Sequence, residues 1–325
     1  MERKEITEKL ASAKSSQRRP IMTMANGDNT WLISIPRPAG GKGKAFYHIL
    51  QDPWLVGDVL NLYAWILRLR HPHKEAFDSL AGIESWVEEI ETSAGGSKDE
   101  GEPWLDAVLV THILADHMHE ETLRTFDAIT RVFAVEEPAA IISSWKHFDN
   151  VVVIPDFVRS TDTTWPSIPE IPSWLSVFRI PDEGAVYPVL YHCMVISFTA
   201  ADGKSEVILY SPHGVDPDAV EAAQKANPEA SVLAMIHPLH KTGLTEKGTT
   251  LGVTNGLKIV RRSEPKYWLG THDDKIQYSG LLSWVFNHGR LTLDDGLEEE
   301  ARETGQKLPR PNLVEVGNGC SYILV

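Results

Sequence analysis

Thr111-His112-Ile113-Leu114-Ala115-Asp116-His117-Met118-His119 follows directly on the apolar run Leu105-Asp106-Ala107-Val108-Leu109-Val110. That run reads as a buried strand. Residues 112–119 then carry three histidines and one aspartate. A strand fixes the backbone, and the loop beyond it can aim imidazoles and a carboxylate at one point, as a metal site requires. The competing reading is a polar helix start, with Thr111 or Asp116 capping a helix through His119-Glu120-Glu121-Thr122-Leu123.

The same event recurs downstream. Val207-Ile208-Leu209-Tyr210 leads into Ser211-Pro212-His213-Gly214, Leu233-Ala234-Met235-Ile236 into His237, and Tyr267-Trp268-Leu269-Gly270 into Thr271-His272. Four strand ends therefore carry histidine. In layered α/β folds ligands collect at strand ends, because loops converge there without disturbing the core. His237 and His240 flank a Pro turn. His192 lies inside an apolar strand and reads equally as a core histidine or a site residue. His48, His71, His73, His147 and His288 lack the strand-end context and read as surface or packing residues.

The chain of 325 residues has room for one large domain or two small ones. Its 42% apolar and 23% charged residues are those of a globular protein. No apolar run approaches the ~20 residues of a membrane span. The first residues lack the apolar stretch of a secretion signal. Two cysteines, Cys193 and Cys320, make no disulfide framework, and a cytoplasmic location is expected. A net charge of −14 argues against nucleic acid as the main partner and reads as a charge for solubility; the expected partner is a small-molecule substrate.

Residues 1–25 read as a flexible or weakly helical tail, and order is expected from a strand over 29–35. No repeat or Pro-rich linker divides residues 26–325, which read as a single domain of two β-rich halves faced by helices. Helical spacing is read over 58–70 and 79–91, and again over 138–148, 217–226, 252–262 and 293–303. The Pro-, Thr- and Asp-rich stretch 156–173 is long enough to suggest a functional loop, with Trp165 and Trp174 as candidates for an aromatic pocket.

The arrangement resembles the metallo-β-lactamase superfamily, whose strand-end motif is HxHxDH. His112, Asp116 and His117 match its first His, its Asp and its last His. His213 falls where the family carries a carboxylate bridging two metals, and His272 where its final metal His sits. A closer resemblance is to a fungal-type group of such proteins. It rests on Thr30-Trp31-Leu32-Ile33-Ser34-Ile35-Pro36-Arg37-Pro38, Leu50-Gln51-Asp52-Pro53-Trp54-Leu55-Val56-Gly57, Asp116-His117-Met118-His119, Asn255-Gly256-Leu257-Lys258 and Thr271-His272-Asp273-Asp274. Two positions depart from the pattern. Leu114 replaces the middle His, and His213 replaces the bridging carboxylate. Asp182, Glu183 and His192 are the candidates for the His that completes the first metal site.

The resemblance implies an α/β fold, a four-layer αββα sandwich of two mixed β-sheets flanked by helices. It implies a metal site of Asp116, His117 and His272, with His213 as a fourth ligand, and with His112 and His119 either joining it or supporting the ligands from behind. Such a donor set suits Zn²⁺, one or two ions, with Fe²⁺ or Mn²⁺ as alternatives. The expected function is metal-dependent hydrolysis of an ester, thioester, lactone or amide. Asp116 would act as ligand and water-orienting group, and His119 or His240 would protonate the leaving group. Asp273 and Asp274 would fix the His272 tautomer. The alternatives are lyase or isomerase chemistry on a natural product at a single-metal site, and a metal-free binding protein.

Overall fold

The computed structural model describes residues 1–38, 43–61, 65–185, 189–243, 248–283 and 287–325. The chain opens with α1 (Arg3–Ser12) and the strands β1 (Ile21–Met24), β2 (Trp31–Pro36) and β3 (Phe46–Gln51). β4 (Val59–Asn61) and β5 (Leu67–Arg70) precede α2 (Leu80–Ser93) and β6 (Ala107–Val110). Then come α3 (Glu120–Leu123), β7 (Val132–Ala134), α4 (Glu136–Ser144) and β8 (Val151–Val153). The second half runs β9 (Leu175–Pro181), β10 (His192–Thr199), β11 (Ser205–Tyr210), α5 (Pro217–Lys225), β12 (Ser231–Ile236), β13 (Lys241–Gly243) and α6 (Gly252–Ser263). It closes with β14 (Tyr267–Leu269), β15 (Gln277–Ser279), β16 (Asn287–Gly289), α7 (Leu293–Thr304), β17 (Leu313–Val314) and β18 (Ser321–Ile323).

Among the described residues one sheet has the order β18-β1-β2-β3-β6-β7-β8 and a second β17-β14-β12-β11-β10-β9. Both are mixed. Ladders from β18 to β3 are antiparallel, and those from β3 to β8 parallel. In the second sheet β9, β10 and β11 pair antiparallel, and β11, β12, β14 and β17 parallel. Side chains alternate between faces. Trp31, Ile33 and Ile35 meet Met194, Ile196, Ile208 and Ile236 between the sheets. Leu32, Phe46, Leu50, Val108 and Val110 point the other way, onto Ile83, Trp86, Val87 and Ile90 of α2. Val195, Leu209, Met235 and Trp268 pack on Val220 of α5 and on Val253 and Leu257 of α6. The result is the expected four-layer αββα sandwich. Strands covered on both faces explain their near-continuous apolar runs.

Two expectations fail. The first 25 residues are built into the fold. Ile6 and Leu10 of α1 are buried, and β1 lies fully buried between β2 and β18. Four residues behind Arg18-Arg19-Pro20 are too few to show a period, and half their pairing comes from β18, 300 residues away in the chain. Residues 58–70 form no helix where they are described. β4 and β5 pair with β15 in a small three-stranded sheet. The alternation Leu67-Arg68-Leu69-Arg70 has period 2, and the Asp58 carboxylate binds both Arg68 and Arg70 on the polar face. Leu62–Ala64, part of that expected helix, lie outside the described residues, as do 39–42 of the β2–β3 hairpin loop.

His48 is a packing residue as read. It is fully buried between Ser34 Oγ (2.9 Å from Nδ1) and Glu91 Oε1 (2.8 Å from Nε2). Glu91 also accepts from the Ala45 and Phe46 amides, so the buried charge is fully satisfied. Among the described residues no helix is long and apolar enough to cross a membrane.

Candidate metal centre

β3 and β6 lie parallel in one sheet, and β11, β12 and β14 lie parallel in the other. Their carboxyl ends meet at one edge of the sandwich, and all but β12 are followed by a polar residue of the site. Asp52 follows β3, His112–His117 follow β6, His213 follows β11 and His272 follows β14. Asp28 arrives from the β1–β2 turn.

Asp116, His117 and His272 present ligand atoms within 4.8 Å of one another. His272 Nε2 is 3.4 Å from Asp116 Oδ2, and His117 Nε2 is 3.8 Å from the same oxygen. His213 Nε2 lies 3.0 Å from His117 Nε2, and His112, His117 and His213 form a second such set. The five expected metal residues are therefore brought together.

Each inward-facing imidazole is anchored by its other nitrogen. His117 Nδ1 donates to Asp52 Oδ2 at 2.7 Å, His272 Nδ1 to Asp28 Oδ2 at 2.9 Å, and His213 Nδ1 to the Thr249 carbonyl at 3.0 Å. An anchored Nδ1–H makes Nε2 the inward-facing nitrogen, the one a metal would take. Three such nitrogens and one carboxylate fit a divalent ion of the zinc type.

The anchors are the residues that sequence reading missed. Asp52 is fully buried and takes four donors: Thr111 N (2.8 Å), Thr111 Oγ1 (2.6 Å), His117 Nδ1 (2.7 Å) and Tyr210 Oη (2.8 Å). It ties the ends of β3, β6 and β11 together, and so joins the two sheets beneath the site. In the sequence, Asp52 stood only as one residue of the segment Leu50–Gly57 that carries the resemblance, with no site role. Asp28, in Asn26-Gly27-Asp28, showed nothing. It also accepts from the Asp274 amide at 3.3 Å, while its carbonyl accepts from Thr271 Oγ1 and the His272 amide. Asp52 (φ 47°) and His272 (φ 56°) both hold left-handed backbone, a strain that the surrounding hydrogen bonds sustain. Gly214 (φ 104°) turns the chain directly after His213, where a Cβ would sit 2.7 Å from Leu251 Cδ1.

Burial, reinforced by the neighbouring imidazoles, pushes His112 and His213 well below the usual histidine value, so both are neutral. His272 goes the other way. Burial opposes its charge, but the charge and hydrogen bond of Asp28 and the charge of Asp116 raise it to about 9. Without metal His272 holds a proton at neutral pH, and a metal must displace it. Apparent zinc affinity should then rise ~10-fold per pH unit from 7 to about 9 and flatten above, since one proton leaves per ion bound. Chelator competition across that range measures it, and a flat profile would remove His272 from the ligand set.

The remaining candidates separate. His112 stacks on His192 with ring centroids 3.9 Å apart, and its Nε2 is already 3.0 Å from the Leu190 carbonyl. His192 is a core histidine, with Nε2 3.0 Å from the Thr111 carbonyl and a value pushed down to about 3 by burial. His237 is also core, held by Pro238 O and Asn255 Oδ1 and packed on Trp268. His119 belongs to neither ligand set and lines no part of the cavity described below. Its ring caps α3, with Nδ1 2.9 Å from Thr122 Oγ1. Asp273 accepts from the Leu239 and His240 amides, and Asp274 faces His71 and His73, so the anchoring of His272 expected of them falls to Asp28. Trp165 packs on Phe178 and donates to Ala223 O, while Trp174 packs edge-on against Tyr47. Neither reaches the site.

A cavity of about 230 Å³ opens onto the metal residues. Asp116, His213, His272, Leu114 and His240 line it. So do Leu67, Leu69 and Tyr278 of the small sheet and the adjoining Ile276, with Leu69 and Tyr278 a cross-strand pair. The β4–β5–β15 sheet is thus a wall, apolar toward the site.

No protein-family model matches the chain, and no curated protein matches it in sequence. Solved structures do match. A possible metal-dependent hydrolase from Veillonella parvula is 13% identical, covering 94% of this chain and 100% of its own, with a TM-score of 0.54. An isothiocyanate hydrolase from Delia radicum gut bacteria is 14% identical over 94% and 100% of the two chains, TM-score 0.54. A metallo hydrolase from the archaeon Ignicoccus hospitalis is 13% identical over 93% and 97%, TM-score 0.51. The chain shares its architecture with these three proteins, and its fold is the αββα sandwich of the metallo-β-lactamase fold.

Proposed function

We propose that the protein is a metal-dependent hydrolase that adds water across the acyl bond of a small ester, thioester, lactone or amide. The observation that carries this reading is the convergence of Asp116, His117, His213 and His272 at the base of a cavity, with every inward imidazole anchored from behind. A divalent ion held there polarises a carbonyl oxygen and makes water nucleophilic near neutral pH. The named similar structures, all described as hydrolases, support the reaction type.

The chain's own residues supply the rest. Asp116 has its second oxygen available to orient water. The apolar wall of Leu67, Leu69 and Ile276 keeps bulk water from the bond. The departing alcohol, thiol or amine needs one proton. His240 lines the cavity and donates from Nδ1 to the Leu291 carbonyl at 3.2 Å, which leaves Nε2 to pass that proton. Of the two histidines considered for this task, His119 has its ring committed to the helix cap.

The test is metal content by elemental mass spectrometry on untagged protein, followed by a panel of 4-nitrophenyl esters, acyl thioesters and lactones. About one equivalent of zinc, iron or manganese, with hydrolysis abolished by chelation and restored by the ion, supports the reading. Bound metal with no hydrolysis of any class would shift it to lyase or isomerase chemistry. Leu114 lines the cavity where the resemblance places a metal-binding His. Leu114→His is therefore expected to raise the stoichiometry from one ion toward two, and unchanged stoichiometry would show that position 114 does not reach His112, His117 and His213.

A further inference from the structure

Every carboxylate on the cavity already has a partner. Asp116 lies against His117 and His272, at 3.8 and 3.4 Å. Asp274 lies against His73 and His71, at 3.1 and 3.6 Å. The two full cations on the same cavity are different. Lys275 and Arg290 both line it, both side chains are exposed, and neither is ion-paired among the described residues. On a chain with a net charge of −14, they place two full positive charges on one cavity. Leu67, Leu69, Ile276 and Tyr278 line the same cavity and give it an apolar surface.

We infer that the substrate is a small anion: a short aliphatic acyl compound that carries a carboxylate away from its scissile bond. The carboxylate is held by Lys275 and Arg290, and the aliphatic segment lies on the β5–β15 wall. The cavity's size agrees, since about 230 Å³ is below the roughly 300–1,000 Å³ of pockets that take drug-sized ligands. Arg290 brings a planar fork that matches a carboxylate with two hydrogen bonds, and Lys275 adds a second charge. Hydrolysis of such an ester breaks the acyl C–O bond, consumes one water and leaves a dicarboxylate and an alcohol. This inference rests on the hydrolase reading for the reaction but not for the binding.

The experiment pairs mono(4-nitrophenyl) succinate with its neutral methyl ester on zinc-loaded protein, for the wild type and for the double variant Lys275→Glu/Arg290→Glu. The expected result is a ~10-fold or greater wild-type preference in kcat/KM for the anion, and its loss in the variant through KM, as for a charge-assisted contact. No preference, or a preference the variant keeps, overturns the inference. Binding of glutarate against dimethyl glutarate, followed by titration calorimetry on the same proteins, separates the two claims. If neither ester is hydrolysed but glutarate binds the wild type ~10-fold more tightly than the variant, the anion site stands and the hydrolase reading falls. Equal glutarate binding by both proteins removes the anion site whatever the activity.

Discussion

Asp52→Ala is expected to lower the free energy of unfolding by about 3–5 kcal/mol, the loss seen when one partner is removed from a buried, hydrogen-bonded charge. The carboxylate accepts from four donors, and Thr111, His117 and Tyr210 are all buried. Alanine leaves those donors without an acceptor in a place water cannot reach. The loss also spans both sheets, because Thr111 follows β6 and Tyr210 ends β11. Denaturant unfolding of metal-free protein measures the effect without the stabilisation that bound metal would add. A change below ~1 kcal/mol would mean that the four contacts do not act as one node. Asp52→Asn separates packing from tautomer control. It keeps the shape but brings an amide N–H into a ring of donors, and it should weaken zinc binding by ~10–100-fold, as loss of a ligand's outer partner does.

Asp116→Ala and His272→Ala should do the reverse: remove the metal and leave the fold. Asp116 is 10% and His272 14% exposed at the side chain, both on the cavity floor and not between layers. Cutting either removes one donor of four, and retained zinc after dialysis should fall from about one equivalent to ~0.1 or less. Far-UV circular dichroism and the metal-free unfolding midpoint should stay near wild type. If both variants hold metal like the wild type, the ligand assignment is wrong. The contrast between Asp52 and Asp116 is the informative part. Two carboxylates near one another do separate work, because one is enclosed by donors and the other opens on the cavity.

Much of this was legible before any coordinates. The buried strands were readable as apolar runs, and the amphipathic helices after β11, β13 and β16 fall where their spacing places them. The site histidines were readable too, because each directly follows a strand, and a strand end fixes the position of what comes next. β1 and the β4–β5 pair were not. Each is three or four residues long, and their partners β18 and β15 come from the far end of the chain. Local period cannot report a ladder whose other half is more than 200 residues away.

The sequence by itself determined the layered fold and the group of residues that converge as a candidate metal site: Asp116, His117, His213 and His272, with His112 beside them. Only the tertiary structure decided among the histidines. It stacked His192 behind His112, put His237 in the core and turned His119 into a helix cap, because its ring nitrogen accepts from Thr122 N at the start of α3. It also supplied Asp28 and Asp52, which hold the imidazoles in their metal-ready state. Their role is invisible locally because a carboxylate anchors a histidine through space, and these two stand 244 and 65 residues from the rings they hold.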